Sequence, residues 1–222
     1  MNPRFKLYVE GRDDSAVACQ LALKHVDLCE PKGEKKEQAP KFEVHEDDPH
    51  GRAIHGVAQL VGKIPLLLRD PGADRIGFVV DADDDPAKRW NPIRKALLDR
   101  GYASAPQTPK ADGTIIDHPQ QPRIGVWLMP DNRSSGMIED FLQAIIRPED
   151  VLLPLAVRAV EEVIIIDRRF PEAHRTKAVI HTWLAWQSKT GQPQGVAIRE
   201  GYVDASCELA QRYIAWLVRL FG

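Results

Sequence analysis

Acidic side chains follow two apolar runs of the sequence, each where a strand is expected to end. Glu10 closes the run FKLYVE at 5–10, and Asp81 and Asp83 follow the run RIGFVV. In an open parallel sheet the carboxyl ends of the strands share one edge, and ligands bind there. Asp81 and Asp83 are two residues apart, so in extended backbone their side chains point the same way. We therefore expect three carboxylates to meet at this edge.

Carboxylates that converge need a counter-charge. Like charges held close together raise each other's pKa and cost free energy unless a cation neutralises them. Carboxylate oxygens are ligands that suit Mg²⁺ and Mn²⁺. The set of Glu10, Asp81 and Asp83 therefore predicts a site for Mg²⁺ or Mn²⁺, and it does not distinguish one ion or two.

Some neighbouring acids have a structural interpretation. Asp84 and Asp85 precede a proline, and acids in such places cap helices and line turns, so we assign both to the turn. Asp13 and Asp14 begin a predicted helix, where acids favour the helix dipole whatever their function. Asp14 also lies one helical turn beyond Glu10, so it could face the same metal.

Two further acids, Glu139 and Asp140, open a helix expected at about 138–147 after an apolar strand. Acids in a first helical turn stabilise the helix without any ligand role. On these grounds alone a ligand role and a structural role are equally supported.

Lys177 is the candidate cation of the site. On a helix expected over about 172–187 it shares a polar stripe with His174 and His181, opposite a more apolar stripe. A lysine aimed at a scissile phosphate would stabilise the charge that builds up in the transition state. For the two histidines a solvated helix face is the simpler interpretation.

The elements that must position these residues alternate between strand and helix. Strands are expected at 5–10, near 41–45, at about 75–80 and at 124–129, with helices after residue 13, at about 51–68, at 87–100 and at 138–147. This order predicts an α/β fold with a mostly parallel sheet and helices on both faces. Residues 30–40 are expected to be a solvated loop, 105–122 a loop or short hairpin, and 71–72 a turn.

We expect two units, an α/β domain over 1–148 and a mainly helical subdomain over 149–222 packed on it. The second unit contains a potential short strand at Val163–Ile166 and a final helix beginning near Asp204. Its three tryptophans, Trp183, Trp186 and Trp216, would pack over the sheet or form a homodimer contact.

Composition narrows the function classes. The 222 residues carry a formal net charge of -2, which excludes a basic arm, so any nucleic-acid contact must be local. The three cysteines are widely spaced and form no C-x-x-C pair, which argues against a disulfide framework and a zinc site. Neither a signal peptide nor a membrane span is apparent, so a cytoplasmic protein with no membrane contact is expected.

The two acidic motifs together resemble a known superfamily. An apolar strand ending in Glu-Gly, here VEGRDD, followed by a strand ending in Asp-x-Asp, here FVVDADDD, is similar to the TOPRIM signature. That superfamily comprises metal-dependent catalytic domains of topoisomerases, primases, recombination and ribosomal RNA maturation proteins, and the OLD-like nucleases. The stretches GMIEDFL and KAVIHTWLAWQ look most like a small bacterial family near the OLD-like branch.

The resemblance implies a role for each residue of the site. Glu10 would take the place of the TOPRIM glutamate, as general acid/base or metal ligand, and Asp81 and Asp83 that of the metal-binding pair. In OLD-like nucleases a second acid, a later glutamate and a downstream lysine complete the site. Asp14, Glu139 and Lys177 would fill those places.

The departures from the resemblance also matter. OLD proteins carry an ATPase module, but no G-x-x-x-x-G-K-[ST] motif occurs in this chain, so an ATPase partner would be a separate polypeptide. Topoisomerase and primase activities are disfavoured, because neither a nucleophilic tyrosine in a suitable context nor a zinc motif is present.

Three functions follow as hypotheses. The leading hypothesis is a metal-dependent nuclease in which activated water attacks a phosphodiester. Its expected substrate is DNA, with RNA as the second choice. A second is a catalytically silent TOPRIM-like subunit that binds nucleic acid or a partner ATPase in a defence system. The third is a haloacid-dehalogenase-like phosphohydrolase. It ranks lower, because such enzymes have Gly-Thr or Gly-Val soon after the second aspartate, and this sequence has Asp84, Asp85 and Pro86 there.

Overall fold

The fold is described from a computed structural model that covers residues 4–32, 37–47, 59–69 and 72–222. The helix expected over 51–68 is described from residue 59 onward, and its first half lies outside the described residues. The first residue of the turn expected at 71–72 also lies outside them.

Strands and helices alternate along most of the described chain. In chain order the elements are β1 (Phe5–Val9), α1 (Arg12–Ala22), β2 (Cys29–Lys32), β3 (Glu37–Pro40), β4 (Glu43–Glu46), α2 (Gln59–Leu67), β5 (Arg75–Asp81), α3 (Pro86–Asp99), β6 (Thr114–Ile116), β7 (Arg123–Met129), α4 (Ile138–Ala144), α5 (Leu152–Asp167), α6 (Arg175–Ala185), α7 (Gln194–Arg199) and α8 (Glu208–Phe221).

Five of the strands form one mostly parallel sheet in the order β4-β1-β5-β7-β6. The first four strands run parallel, and β6 pairs antiparallel with β7 at the edge. Strands β1 and β5 are neighbours, so their carboxyl ends lie side by side. The mostly parallel α/β sheet predicted from the sequence is confirmed. The segment 105–122, expected to be a loop or short hairpin, is a loop with one short strand, β6, which pairs with β7 beyond it.

Both faces of the sheet are covered, which explains why its central strands are apolar throughout. Side chains alternate along β5, with Phe78 and Val80 in one core cluster and Val79 in the other. Helices α2 and α3 cover the face of the sheet that carries Phe78 and Val80. The remaining helices contribute to the larger core cluster on the opposite face, which contains Val79.

The final helix α8 lies directly on the sheet. A Cβ atom on Gly125 of β7 would stand 2.5 Å from the Leu220 side chain, so a larger residue there would force that side chain to shift. Trp216 of the same helix is fully buried, as is Trp183, whereas Trp186 is exposed. Two of the three tail tryptophans therefore pack into the core.

Two local predictions were wrong. Within 30–40, expected to be a loop, the described residues belong to strands β2 and β3, which pair as an antiparallel ribbon with Cys29 opposite Pro40, and residues 33–36 lie outside the described residues. Val163–Ile166 is not a strand but the last turns of α5. Its β-branched residues favour a strand locally, but Ala156 and Val160 set a buried helical stripe that Ile164 continues.

Within the described residues, no helix is long and apolar enough to cross a membrane. All three cysteines are free thiols.

Candidate functional site

The ends of the neighbouring strands β1 and β5 place two acids together. Glu10 follows the last residue of β1, and Asp81 is the last residue of β5. One oxygen of Glu10 accepts a hydrogen bond from the backbone N–H of Asp81 at 3.3 Å. The contact predicted between the two motifs is therefore present in the structure.

Asp14 is brought to the same place by the first turn of α1. Its Oδ2 atom accepts a hydrogen bond from the N–H of Gly11 at 3.1 Å, which caps the helix. Its other oxygen, Oδ1, is buried without a hydrogen-bond partner, and the whole residue is only 6% exposed. Asp14 thus caps the helix with one oxygen and leaves the other uncompensated.

The two acids at the start of helix α4, Glu139 and Asp140, have different contacts. Asp140 caps the helix, since its Oδ2 accepts a hydrogen bond from the N–H of Met137 at 2.8 Å. Glu139 is 1% exposed and lies 3.1 Å from the Nζ atom of Lys177. The N–H of Ile138 donates to Asp81 Oδ1 at 3.0 Å, which ties the start of α4 to the end of β5.

Asp83 departs from the expected geometry. The chain leaves the extended conformation after β5, and Asp83 has a φ of 50°, so it does not continue the strand alternation from Asp81. Its backbone forms a bridge with Gly136, and its carboxylate pairs with Arg89 of α3. Asp83 therefore stands at the rim of the site, half exposed and already neutralised by an arginine.

The other two acids of the loop after β5, Asp84 and Asp85, do not take part in the site. Asp85 caps α3 by accepting a hydrogen bond from the N–H of Ala87 at 2.8 Å, as the turn interpretation predicted. Asp84 is exposed. Neither belongs to the buried and partly buried group that we call the acidic cluster: Glu10, Asp14, Asp81 and Glu139.

Burial and mutual repulsion raise the pKa values of three members of the acidic cluster. Burial raises the pKa of Glu10 to about 7, opposed by Arg89 and reinforced by Asp83. Burial, with Glu10 and Glu139 nearby, raises the pKa of Asp14 to about 8. Burial and the surrounding acids also hold the pKa of Asp81 well above its ordinary value. The cluster therefore favours protons, or a cation that replaces them.

Lys177 is the cation that faces the cluster. Burial alone would lower its pKa, but the carboxylates of Glu139, Asp13 and Asp81 outweigh burial and raise it. The lysine therefore stays charged beside the acids. His174 and His181 are exposed on or beside the same helix, as expected for a solvated face.

Gln194 was not anticipated from the sequence. It is fully buried at the first position of α7, and its Nε2 donates to Glu139 Oε1 at 3.0 Å and to Asp13 Oδ2 at 3.5 Å. Its own Oε1 is buried without a hydrogen-bond partner. A single glutamine carries no pattern, so the sequence offered no signal for it.

Gly195 is what allows Gln194 to reach the cluster. A Cβ on Gly195 would stand 2.6 Å from the Cβ of Ala16 and 3.0 Å from its backbone carbon, so α7 touches α1 only because this residue is glycine. Backbone atoms cannot give way as a flexible side chain can. The α1–α7 contact thus fixes the position of Gln194.

We predict that Gly195→Ala lowers the free energy of unfolding by about 1–3 kcal/mol, because overpacking of this size forces the backbone to shift. Urea denaturation measures the loss. Gly62→Ala is the matched control, since a Cβ there meets nothing within 4 Å in helix α2, and it should leave stability unchanged or slightly increased. Equal stability of the Gly195→Ala and wild-type proteins would contradict the tight α1–α7 contact.

The donor set fits a hard divalent cation, although the side chains are not closed around one. Within the described chain no three His, Cys, Asp or Glu side chains are grouped so that they could hold a metal ion as they stand. Two oxygens at the site, Asp14 Oδ1 and Gln194 Oε1, are buried without a hydrogen-bond partner, and such oxygens need a cation or a donor. Rotation of the cluster carboxylates would therefore be part of binding a metal.

Together, the fold and the site define an α/β protein with an acidic cluster and one lysine at the carboxyl edge of a mostly parallel sheet. The chain belongs to the family described as a protein of unknown function, DUF3226, whose model matches residues 4–222. No curated protein and no solved structure matches the chain significantly.

Proposed function

We propose that this protein is a divalent-metal-dependent phosphodiesterase that cleaves nucleic acid, DNA in preference to RNA, as the TOPRIM resemblance implies. The observation that carries the proposal is the acidic cluster itself. Residues 10 and 14, residue 81 and residue 139 come from three separate parts of the chain, yet their buried or partly buried side chains are gathered with Lys177 beside them. Burying like charges costs free energy that a purely structural site would avoid.

The residues that would hold Mg²⁺ or Mn²⁺ are Glu10, Asp14, Asp81 and Glu139, with Asp83 at the rim. When bound, the ion would supply a nucleophilic water and neutralise charge on the phosphate. With a pKa raised to about 7, Glu10 can take up or release a proton near neutral pH. Lys177, 3.1 Å from Glu139, would stabilise negative charge that develops on a phosphate at the cluster.

The proposal is tested by nicking of supercoiled plasmid with Mg²⁺ or Mn²⁺. We expect cleavage by the wild-type protein, none by Glu10→Ala or Asp81→Ala, and a loss of about 10²–10³-fold in rate for Lys177→Ala, the size of losing one transition-state donor. Asp84→Asn is the control, because Asp84 is exposed on the same loop, and it should cleave normally.

Undiminished cleavage by Glu10→Ala and Asp81→Ala would remove the acidic cluster from the reaction. Turnover of p-nitrophenyl phosphate without cleavage of nucleic acid would favour the phosphohydrolase hypothesis. Absence of both activities and of metal binding would favour the silent subunit. The separate ATPase partner and the homodimer stay predictions from the sequence.

A further inference from the structure

A pocket of about 440 Å³ includes Asp13, the neighbour of Asp14, among its lining residues. Helix α1 contributes Arg12 and Asp13 to its walls, helix α6 contributes His181 and Leu184, and residues 191–193 before α7 line it as well. This volume lies within the range of small-ligand sites, and it suits one nucleotide better than a protein segment.

The pocket and the acidic cluster are connected by shared residues. Asp13 lines the pocket and also accepts hydrogen bonds from Gln194, whose side chain donates to Glu139. Lys177 stands one helical turn before His181 on α6, so both project from the same side of the helix. A strand whose phosphate sits at the cluster would therefore place its next nucleotide in the pocket.

Arg12 brings a positive charge to the pocket, and the carboxylate of Asp13, which also lines it, already accepts hydrogen bonds from Gln194. Arg12 and His181 are exposed, and within the described part of the chain no carboxylate pairs with either side chain. Arginine presents a planar fork of N–H donors that matches phosphate geometry. The carboxylates of the acidic cluster repel a phosphodiester backbone. Hydrogen-bond donors without a carboxylate partner, such as those of Arg12 and His181, would hold the backbone against this repulsion.

The other lining residues favour contacts with the sugar and phosphate of a nucleic acid over contacts with its bases. Leu184 and Pro193 give the pocket an apolar side against which a sugar can pack, and no Phe, Tyr or Trp is among its described lining residues. Base stacking on aromatic side chains is the usual source of affinity for unpaired bases. Its absence among these lining residues leaves phosphate and sugar as the groups that are contacted.

We infer that this pocket binds the nucleotide next to the scissile phosphate of a nucleic-acid strand, with Arg12 and His181 holding its phosphate. This inference rests on the proposed function, because it takes the acidic cluster as the place of cleavage. The net charge of -2 implies that the contact covers few phosphates. Binding is therefore independent of base sequence and only weakly dependent on salt.

The test is binding of a short fluorescein-labelled single-stranded DNA, measured by fluorescence anisotropy in Ca²⁺ across a range of salt concentrations. Arg12→Ala and His181→Ala should each weaken binding about tenfold, as expected for loss of a hydrogen bond to a charged group. Arg12→Ala should also reduce the slope of log K against log salt by about 0.7, the effect of neutralising one phosphate on a single strand. Lys24→Ala, an exposed cation just beyond the far end of α1, is the control and should bind as the wild type does.

The outcomes separate this inference from the proposed hydrolysis. A wild-type protein that binds the strand with these dependences but never cleaves it would support the pocket and refute the phosphodiesterase. A double Arg12→Ala, His181→Ala variant, folded by circular dichroism, that keeps wild-type affinity and salt slope would overturn the pocket even if the protein cleaves. Absence of strand binding by the wild type, or equal losses in Lys24→Ala, would overturn it as well.

Discussion

Replacing Asp81 with asparagine is expected to abolish metal-dependent cleavage while making the metal-free protein more stable at pH 8. Asp81 lies against Glu10, Asp14 and Glu139, and its pKa is raised well above the ordinary value by burial first and by these acids second. Asparagine removes the charge but keeps an oxygen that can accept the hydrogen bond from the Ile138 N–H. The gain in the free energy of unfolding should be on the order of 1–3 kcal/mol.

The activity loss in the same variant should be large. A metal ion that neutralises charge in the transition state lowers the activation free energy by several kcal/mol. Loss of metal binding therefore corresponds to a decrease of about 10³-fold in the cleavage rate. Single-turnover cleavage measures the loss, and urea denaturation at pH 5 and pH 8 measures the gain. The stability difference should shrink at pH 5, because lowering the pH favours the uncharged carboxyl form that burial and the neighbouring acids stabilise at Asp81. Asp84→Asn should change neither quantity. An Asp81→Asn variant that is both less stable at pH 8 and fully active would contradict the account.

Removal of divalent ions is expected to make the stability of the wild-type protein fall as pH rises from about 4 to about 8. The folded-state pKa of Glu10 is raised from 4.5 to about 7 and that of Asp14 from 3.8 to about 8, chiefly by burial. Folding therefore retains protons that the unfolded chain releases. The stabilisation is complete below the unfolded pKa values and is lost as pH rises through the folded ones, a change on the order of a few kcal/mol.

Denaturation with urea in EDTA across this pH range measures the fall, and Mn²⁺ should offset it most at pH 8, where the carboxylates are ionised. The double variant Glu10→Gln, Asp14→Asn should show a much flatter dependence. Stability that is constant or increases from pH 5 to pH 8 in EDTA would show that the cluster does not hold protons in the folded state.

The strand ends and the helices that follow them were predictable because their signals are local. An apolar run that breaks into acids marks the end of a buried strand, so the residue pattern alone places Glu10 and Asp81 at one sheet edge. The same local reasoning failed at Val163–Ile166, where β-branched residues favour a strand but packing of α5 decides for a helix. It also failed at residues 30–40, where a charged segment forms a ribbon.

The details of the site were less predictable because they depend on contacts between distant segments. The ion pair of Asp83 with Arg89 follows from the turn of the chain after β5 and the direction of α3. Gln194 enters the site only because Gly195 lets α7 touch α1. The start of a helix alone did not decide between a ligand role and a structural role for Glu139 and Asp140, and the direction in which α4 starts separates the two residues. No periodic pattern records such placements.

The most direct test of the metal site is calorimetric titration of Mn²⁺ into the wild-type protein, Asp81→Asn and Asp84→Asn in two buffers of different ionisation enthalpy. We predict that the wild type and Asp84→Asn bind Mn²⁺ and release protons as they do so, because the raised pKa values of Glu10 and Asp14 leave protons for the metal to displace. Asp81→Asn should lose this binding. Wild-type protein that binds neither Mn²⁺ nor Mg²⁺, or Asp81→Asn that binds as the wild type does, would contradict a metal site in the acidic cluster.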